Sequence, residues 1–115
     1  MSGNVLVVDD EKNIRRTLRM VLEGDGFDVR DAETAEAGLA LLADEAIDVV
    51  VTDIRLPGIS GIDLLQKIRK TPEWAALPVV VISGHATVGE AVDAVKLGAT
   101  DFFEKPLDRD RVLVS

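Results

Sequence analysis

The sequence predicts an α/β domain in which one parallel sheet carries helices on both faces. Three observations predict it. Short runs rich in β-branched residues, at 5–8, 49–52 and 79–82, are apolar at consecutive positions, as in strands covered on both sides. Between them, apolar residues recur every three to four positions, the spacing of one helix face. The two patterns alternate from end to end, which is the order that a parallel sheet with helical crossovers requires.

Val5-Leu6-Val7-Val8 is the first strand. The first helix carries Ile14, Leu18, Val21 and Leu22 on one face, and Gly24 and Gly26 end it. Phe27 to Arg30 is a shorter, more polar strand, suited to an edge. Thr34 can cap a second helix with Leu39 and Leu42 on its buried side. Val49-Val50-Val51-Thr52 is the third strand, and a Pro/Gly-punctuated loop runs on from Asp53 through Pro57, Gly58 and Gly61. The third helix carries Ile62, Leu65 and Ile68, and Pro72 stops it. Val79-Val80-Val81-Ile82 is the fourth strand. Thr87 can cap a fourth helix carrying Val88, Val92 and Val95, which Gly98 ends. Phe102-Phe103 sits in the fifth strand, and Asp108 can cap a fifth helix containing Val112 and Leu113. That helix has no stop signal, and Ser115 falls after only about two turns at ~3.6 residues each, so the natural chain is expected to continue. Right-handed crossovers and the polar second strand give the sheet order 2-1-3-4-5, a flavodoxin-like (βα)5 three-layer sandwich.

The length of 115 residues fits one domain over 1–115. With 47% apolar and 30% charged residues the chain is globular rather than disordered. A net charge of -8 argues against contact with nucleic acid by this domain itself and suits cations or basic partner surfaces. The lack of cysteine removes disulfides, thiolate metal sites and cysteine nucleophiles, and is compatible with the cytosol. The N-terminus reads as no signal peptide, and apolar runs of about four residues are too short to span a membrane.

In open α/β sheets, ligands bind beyond the carboxyl ends of the strands, where strand order reverses. Asp9 and Asp10 end the first strand, Asp53 the third and Ser83 the fourth, while Lys105 follows the fifth. Four strands thus deliver three carboxylates, a hydroxyl and an ammonium to one rim, and the edge strand delivers nothing comparable. Converging carboxylates either raise a pKa or recruit a cation. Oxygen-only ligands favour Mg²⁺, Ca²⁺ or Mn²⁺, and Mg²⁺ shares coordination readily with phosphate. A carboxylate held by such an ion can attack phosphorus to give an acyl phosphate, with Lys105 offsetting charge and Ser83 hydrogen-bonding the phosphoryl group.

On Val7-Val8-Asp9-Asp10, Thr52-Asp53-Ile54-Arg55-Leu56-Pro57-Gly58, Ser83-Gly84-His85-Ala86 and Lys105-Pro106, the chain resembles the receiver domains of two-component response regulators along nearly its whole length. The resemblance implies that Asp53 is the phosphorylated residue and that a sensor histidine kinase is the donor. It implies Mg²⁺ held by Asp10, Asp53 and the backbone carbonyl of Arg55, with Asp9 acting mainly through a metal-bound water. Ser83 and Lys105 would contact the phosphoryl group, and the Lys105-Pro106 bond would be cis. Phe102 falls at the family's aromatic switch position, rotating inward as Ser83 moves toward Asp53. A homodimer through the fourth helix, fifth strand and fifth helix, and a cytoplasmic location, are also implied. The wording of the Asp53 loop and of Lys105-Pro106-Leu107 is similar to receivers of sigma-54-dependent transcriptional activators. Ser83 stands where threonine is commoner and Phe102 where tyrosine is commoner. Arg55 and His85 occupy variable positions thought to tune dephosphorylation.

Taken singly, these residues have plainer readings. Asp10 can cap the first helix, Asp53 can be a turn residue, and Lys105 a solvated charge. Ser83 can be a turn residue and Phe102 plain core; Trp74 packs at the end of the third helix. Three other functions compete. An aspartyl-phosphate phosphatase needs a second acid two residues past the nucleophile, where this chain has Arg55. A flavin binder needs a Ser/Thr/Gly-rich phosphate cradle and flanking aromatics, which the loops lack. An interaction module that is never phosphorylated would usually have lost part of the acidic set.

Overall fold

The computed structural model describes residues 3–84 and 88–105. His85, the Thr87 cap, Pro106 with its peptide bond, and the fifth helix with Asp108, Val112 and Leu113 lie outside the described residues. The elements run β1 (Asn4–Val8), α1 (Lys12–Gly24), β2 (Asp28–Ala32), α2 (Ala35–Asp44), β3 (Val49–Asp53), α3 (Gly61–Lys70), a 3-10 turn (Pro72–Trp74), β4 (Val79–Ser83), α4 (Val88–Lys96) and β5 (Asp101–Glu104). The five strands form one sheet in the order β2-β1-β3-β4-β5, with every pairing parallel.

Strand side chains alternate between faces, and this builds two cores. Leu6, Val8, Val50, Val79 and Val81 point to the side covered by α2, α3 and α4, where Leu42, Leu64, Leu65, Ile68 and Ala94 meet them. Val5, Val7, Val29, Val51, Val80 and Ile82 point to the other side and pack on Leu18 and Leu22 of α1. Fully covered strands therefore read as unbroken apolar runs. No helix among the described residues is long and apolar enough to cross a membrane.

The structure differs from the sequence reading in three places. β2 spans Asp28–Ala32 rather than 27–30, because the ladder with β1 runs from Asn4↔Asp28 to Val8↔Ala32 and the partner strand sets its length. Phe27 lies before it and packs, half-buried, on the α1-side core. Pro72 does more than stop α3, since it opens the 3-10 turn that places Trp74 against the core. α3 starts under a Ser60 cap, whose hydroxyl accepts the Asp63 N–H at 3.1 Å, and buries Leu64 beside the expected residues.

The third difference is in α4. Val88, Val92 and Val95 are exposed (81%, 45% and 57%), while the fully buried side chain is Ala94. Apolar spacing marks a helix face, but it does not say which way that face points. The small Ala94 lets α4 lie against the sheet, leaving the valine stripe outward. Gly98 ends the helix at φ +110, a conformation that glycine adopts without strain. The Arg69 guanidinium closes this end, donating to the Gly98 carbonyl from Nε (3.0 Å) and Nη2 (2.7 Å) and to the Leu77 carbonyl from Nη1 (2.6 Å).

Candidate functional site

The carboxyl ends of β1, β3 and β4 and the residue after β5 meet at one rim. Asp9 continues β1 by one residue, donating its N–H to the Ala32 carbonyl at 3.0 Å, and is fully buried. Its Oδ1 accepts the Glu11 N–H at 2.8 Å. Asp10, next in the chain, is exposed to solvent. Asp53 closes β3 and is buried; its Oδ1 accepts the Arg55 N–H at 3.2 Å. Lys105 is brought over by the β4–β5 ladder, its N–H donating to the Ser83 carbonyl at 2.8 Å. The Lys105 ammonium donates to Asp53 Oδ2 at 3.0 Å and to Glu11 Oε1 at 3.3 Å. It also lies 3.0 Å from Asp9 Oδ2, as an ion pair without hydrogen-bonding geometry, so that buried oxygen keeps an unused acceptor.

One oxygen from each of Asp9, Asp10 and Asp53 lies within 4.8 Å of the other two. Two unit charges ~4 Å apart repel by roughly 4 kcal/mol at an effective dielectric near 20. One ammonium facing three carboxylates leaves negative charge in excess. Burial pushes the Asp9 carboxyl above its ordinary range, against the opposing pull of the Glu11 N–H and Lys105. Burial also works to lower the Lys105 ammonium, but the Asp9 and Asp53 carboxylates outweigh it and hold it above the usual lysine value. An all-oxygen trio with one solvent-facing member and more negative charge than Lys105 offsets fits a hard divalent cation that keeps part of its water shell.

The other candidates fall around this centre. Ser83 is buried at the end of β4, and Ile82 beside it pairs with Asp53. Phe102 pairs with Val81 and packs, half-buried, on the α3/α4 side of the sheet. The Arg55 side chain turns away from the carboxylates, its Nη2 donating to both Glu90 oxygens at 3.0 and 3.2 Å. Three contributors escaped the sequence reading: Glu11 on Lys105, Arg15 on the Asp9 carbonyl at 2.6 Å, and Gly61 against the Asp53 backbone. No spacing signals the first two, because each depends on how β1 meets α1 and β5.

A parallel 2-1-3-4-5 sheet with its acidic residues at the strand-order reversal defines a flavodoxin-like domain with a switch-point site. The model of the response regulator receiver domain matches residues 5–115, and the chain belongs to that family. It is 40% identical over 116 residues to the nitrogen assimilation regulatory protein NtrX of Azorhizobium caulinodans, covering 99% of this chain and 25% of the relative. It is 38% identical over 110 residues to the transcriptional regulatory protein FixJ of Bradyrhizobium diazoefficiens, covering 96% of this chain and 53% of the relative. Among solved structures, a receiver protein from Pseudomonas putida superposes with a TM-score of 0.93 at 39% identity, covering 99% and 94% of the two chains. NtrX from Brucella abortus in complex with ADP gives 0.90 at 43%, covering 99% of this chain and 26% of that one. The chain thus spans about a quarter to a half of the curated relatives named here.

Proposed function

We propose that this receiver domain is a Mg²⁺-dependent phospho-acceptor, taking a phosphoryl group on Asp53 from the phosphohistidine of a sensor kinase. The observation that carries this reading is the convergence of Asp9, Asp10 and Asp53 within 4.8 Å, with the Lys105 ammonium 3.0 Å from Asp53. A carboxylate oxygen of Asp53 attacks phosphorus; the new O–P bond forms as the P–N bond to the donor imidazole breaks, leaving the electron pair on that nitrogen. Asp9, Asp10, Asp53 and the Arg55 carbonyl would hold Mg²⁺, Asp9 mainly through water. The ion, when bound, supplies positive charge to the phosphoryl oxygens. Lys105, 3.0 Å from Asp53 Oδ2, supplies further positive charge, and the Ser83 hydroxyl would donate to the bound group.

The domain turns over no separate substrate and promotes only its own phosphorylation and dephosphorylation. The new charge on Asp53 draws Ser83 inward, and Phe102 follows into the space this opens. The exposed valine stripe of α4 supports a homodimer through α4, β5 and the segment that follows. The regulatory names of the relatives support control of transcription, in the cytoplasm, by an output domain elsewhere in a longer protein. The test is incubation with a small phosphodonor and Mg²⁺. One phosphoryl mass is expected on the parent and none on Asp53→Asn; a variant that still gains it sinks the assignment.

A further inference from the structure

We infer that Arg15 is a positioning residue for the Asp9–Asp10 pair, and that the edge strand β2 acts on the site through it. This inference rests on the Mg²⁺ reading above. Among the described residues, nothing holds the exposed Asp10 carboxylate by a hydrogen bond or ion pair, so the peptide before it sets its direction. That peptide is fixed at three points. The Asp9 N–H is tied to the Ala32 carbonyl, Asp9 Oδ1 to the Glu11 N–H, and the Asp9 carbonyl to Arg15 Nη1 at 2.6 Å.

The first tie holds Asp9 itself, and the second closes a turn across Asp10 from the Asp9 side chain to the Glu11 N–H. Only the third grips the carbonyl of the Asp9–Asp10 peptide, whose plane decides where Asp10 leaves the chain. Glu11, the residue before α1, gives no side-chain cap to the helix start, so the grip on the Asp9 carbonyl adds to the Asp9 side-chain turn in ordering this segment.

Arg15 suits the task. Its side chain is only 12% exposed, and its guanidinium is a rigid planar fork. The far side of that fork faces acids from the end of β2, with Nε 3.8 Å from Asp31 Oδ2 and Nη2 4.0 Å from Glu33 Oε1. Arg19 braces the same Asp31 at 3.5 Å. A relay therefore runs from Asp31 through Arg15 to the Asp9 carbonyl and on to Asp10. The strand that brings no group to the rim directly takes part through an arginine one helical turn into α1. Outer partners that orient metal-ligating groups affect affinity by about 10- to 100-fold when removed.

The experiment compares the parent with Arg15→Met, Arg15→Lys, Asp31→Asn and Asp10→Asn. Mg²⁺ affinity is measured by isothermal titration calorimetry, and metal-free stability by urea denaturation. Initial phosphorylation rates with a small phosphodonor are measured across Mg²⁺ concentration. Arg15→Met should weaken Mg²⁺ binding by about tenfold or more, with the phosphorylation rate recovering at saturating Mg²⁺. Arg15→Lys, which keeps one donor, should fall between; Asp31→Asn should shift affinity in the same direction by a smaller factor. If Arg15→Met lowers stability yet binds Mg²⁺ within twofold of the parent, Arg15 only packs and the inference is overturned. If Arg15→Met does not fold, Asp31→Asn alone decides, and an unchanged affinity there overturns it. Unchanged Mg²⁺ binding in Asp10→Asn would instead defeat the metal reading itself.

Discussion

Replacing Gly61 by alanine tests how tightly α3 is set against the phospho-acceptor strand. A Cβ at Gly61 would lie 1.9 Å from the Asp53 carbonyl oxygen, 2.8 Å from its carbon and 2.9 Å from Ile54 Cα. All three atoms are backbone, so no rotamer change relieves the clash. The Gly61 N–H is also bound to the Ile54 carbonyl at 2.9 Å, which keeps the two segments together. The start of α3 or the end of β3 must move by roughly 1 Å, and overpacking that a close-packed interior cannot absorb costs about 3 kcal/mol. Against a typical domain stability of roughly 5–15 kcal/mol this is a large loss. In urea denaturation the midpoint should fall by about 1–3 M at ordinary slopes. Because the displaced atoms belong to Asp53, phosphorylation by a small donor at saturating Mg²⁺ should slow as well, by up to about 100-fold for a 1 Å misplacement. Gly24→Ala is the control. Its Cβ meets nothing within 4 Å at the end of α1, and it should raise stability by up to about 1 kcal/mol. A Gly61→Ala protein within about 0.5 kcal/mol of the parent and phosphorylated at the parent rate would refute the reasoning.

Lys105→Met removes the ammonium that faces Asp9 and Asp53 and should destabilise the Mg²⁺-free domain by about 3 kcal/mol, with Mg²⁺ restoring most of it; superimposable melts with and without Mg²⁺ would contradict a shared ion. Asp9→Asn should raise the Mg²⁺-free melting temperature at neutral pH by a few degrees while weakening Mg²⁺ binding. The sign follows from linkage: burial puts the folded Asp9 carboxyl above its unfolded value, so its favourable contribution is complete below the unfolded value and is lost as pH rises through the folded one. The ionised group thus costs stability at neutral pH, and the gain from Asn should vanish in acid. On α4, Val92→Lys should leave chemical stability within about 0.5 kcal/mol, whereas Ala94→Leu should cost about 1–3 kcal/mol; the reverse order would mean that the helix presents its other face.

The sequence by itself determined the alternation and order of the strands and helices among the described residues, and which strand ends bring Asp9, Asp10, Asp53 and Ser83 to the rim. These are local properties. Val5-Leu6-Val7-Val8 and Val79-Val80-Val81-Ile82 read as buried strands because both faces are covered, and Asp9, Asp53 and Ser83 are placed by standing where such runs end. Tertiary structure alone decided how β2 is registered, since a polar edge strand takes its bounds from the partner it pairs with. It also turned the α4 valines outward, because a period of 3.6 is blind to which face meets the sheet. The ties that hold the site belong to the same class. Lys105 reaches Asp53 across 52 positions and Glu11 across 94, and Arg69 reaches Gly98 across 29. Such contacts depend on the distance and angle between packed elements, which no stretch of sequence contains.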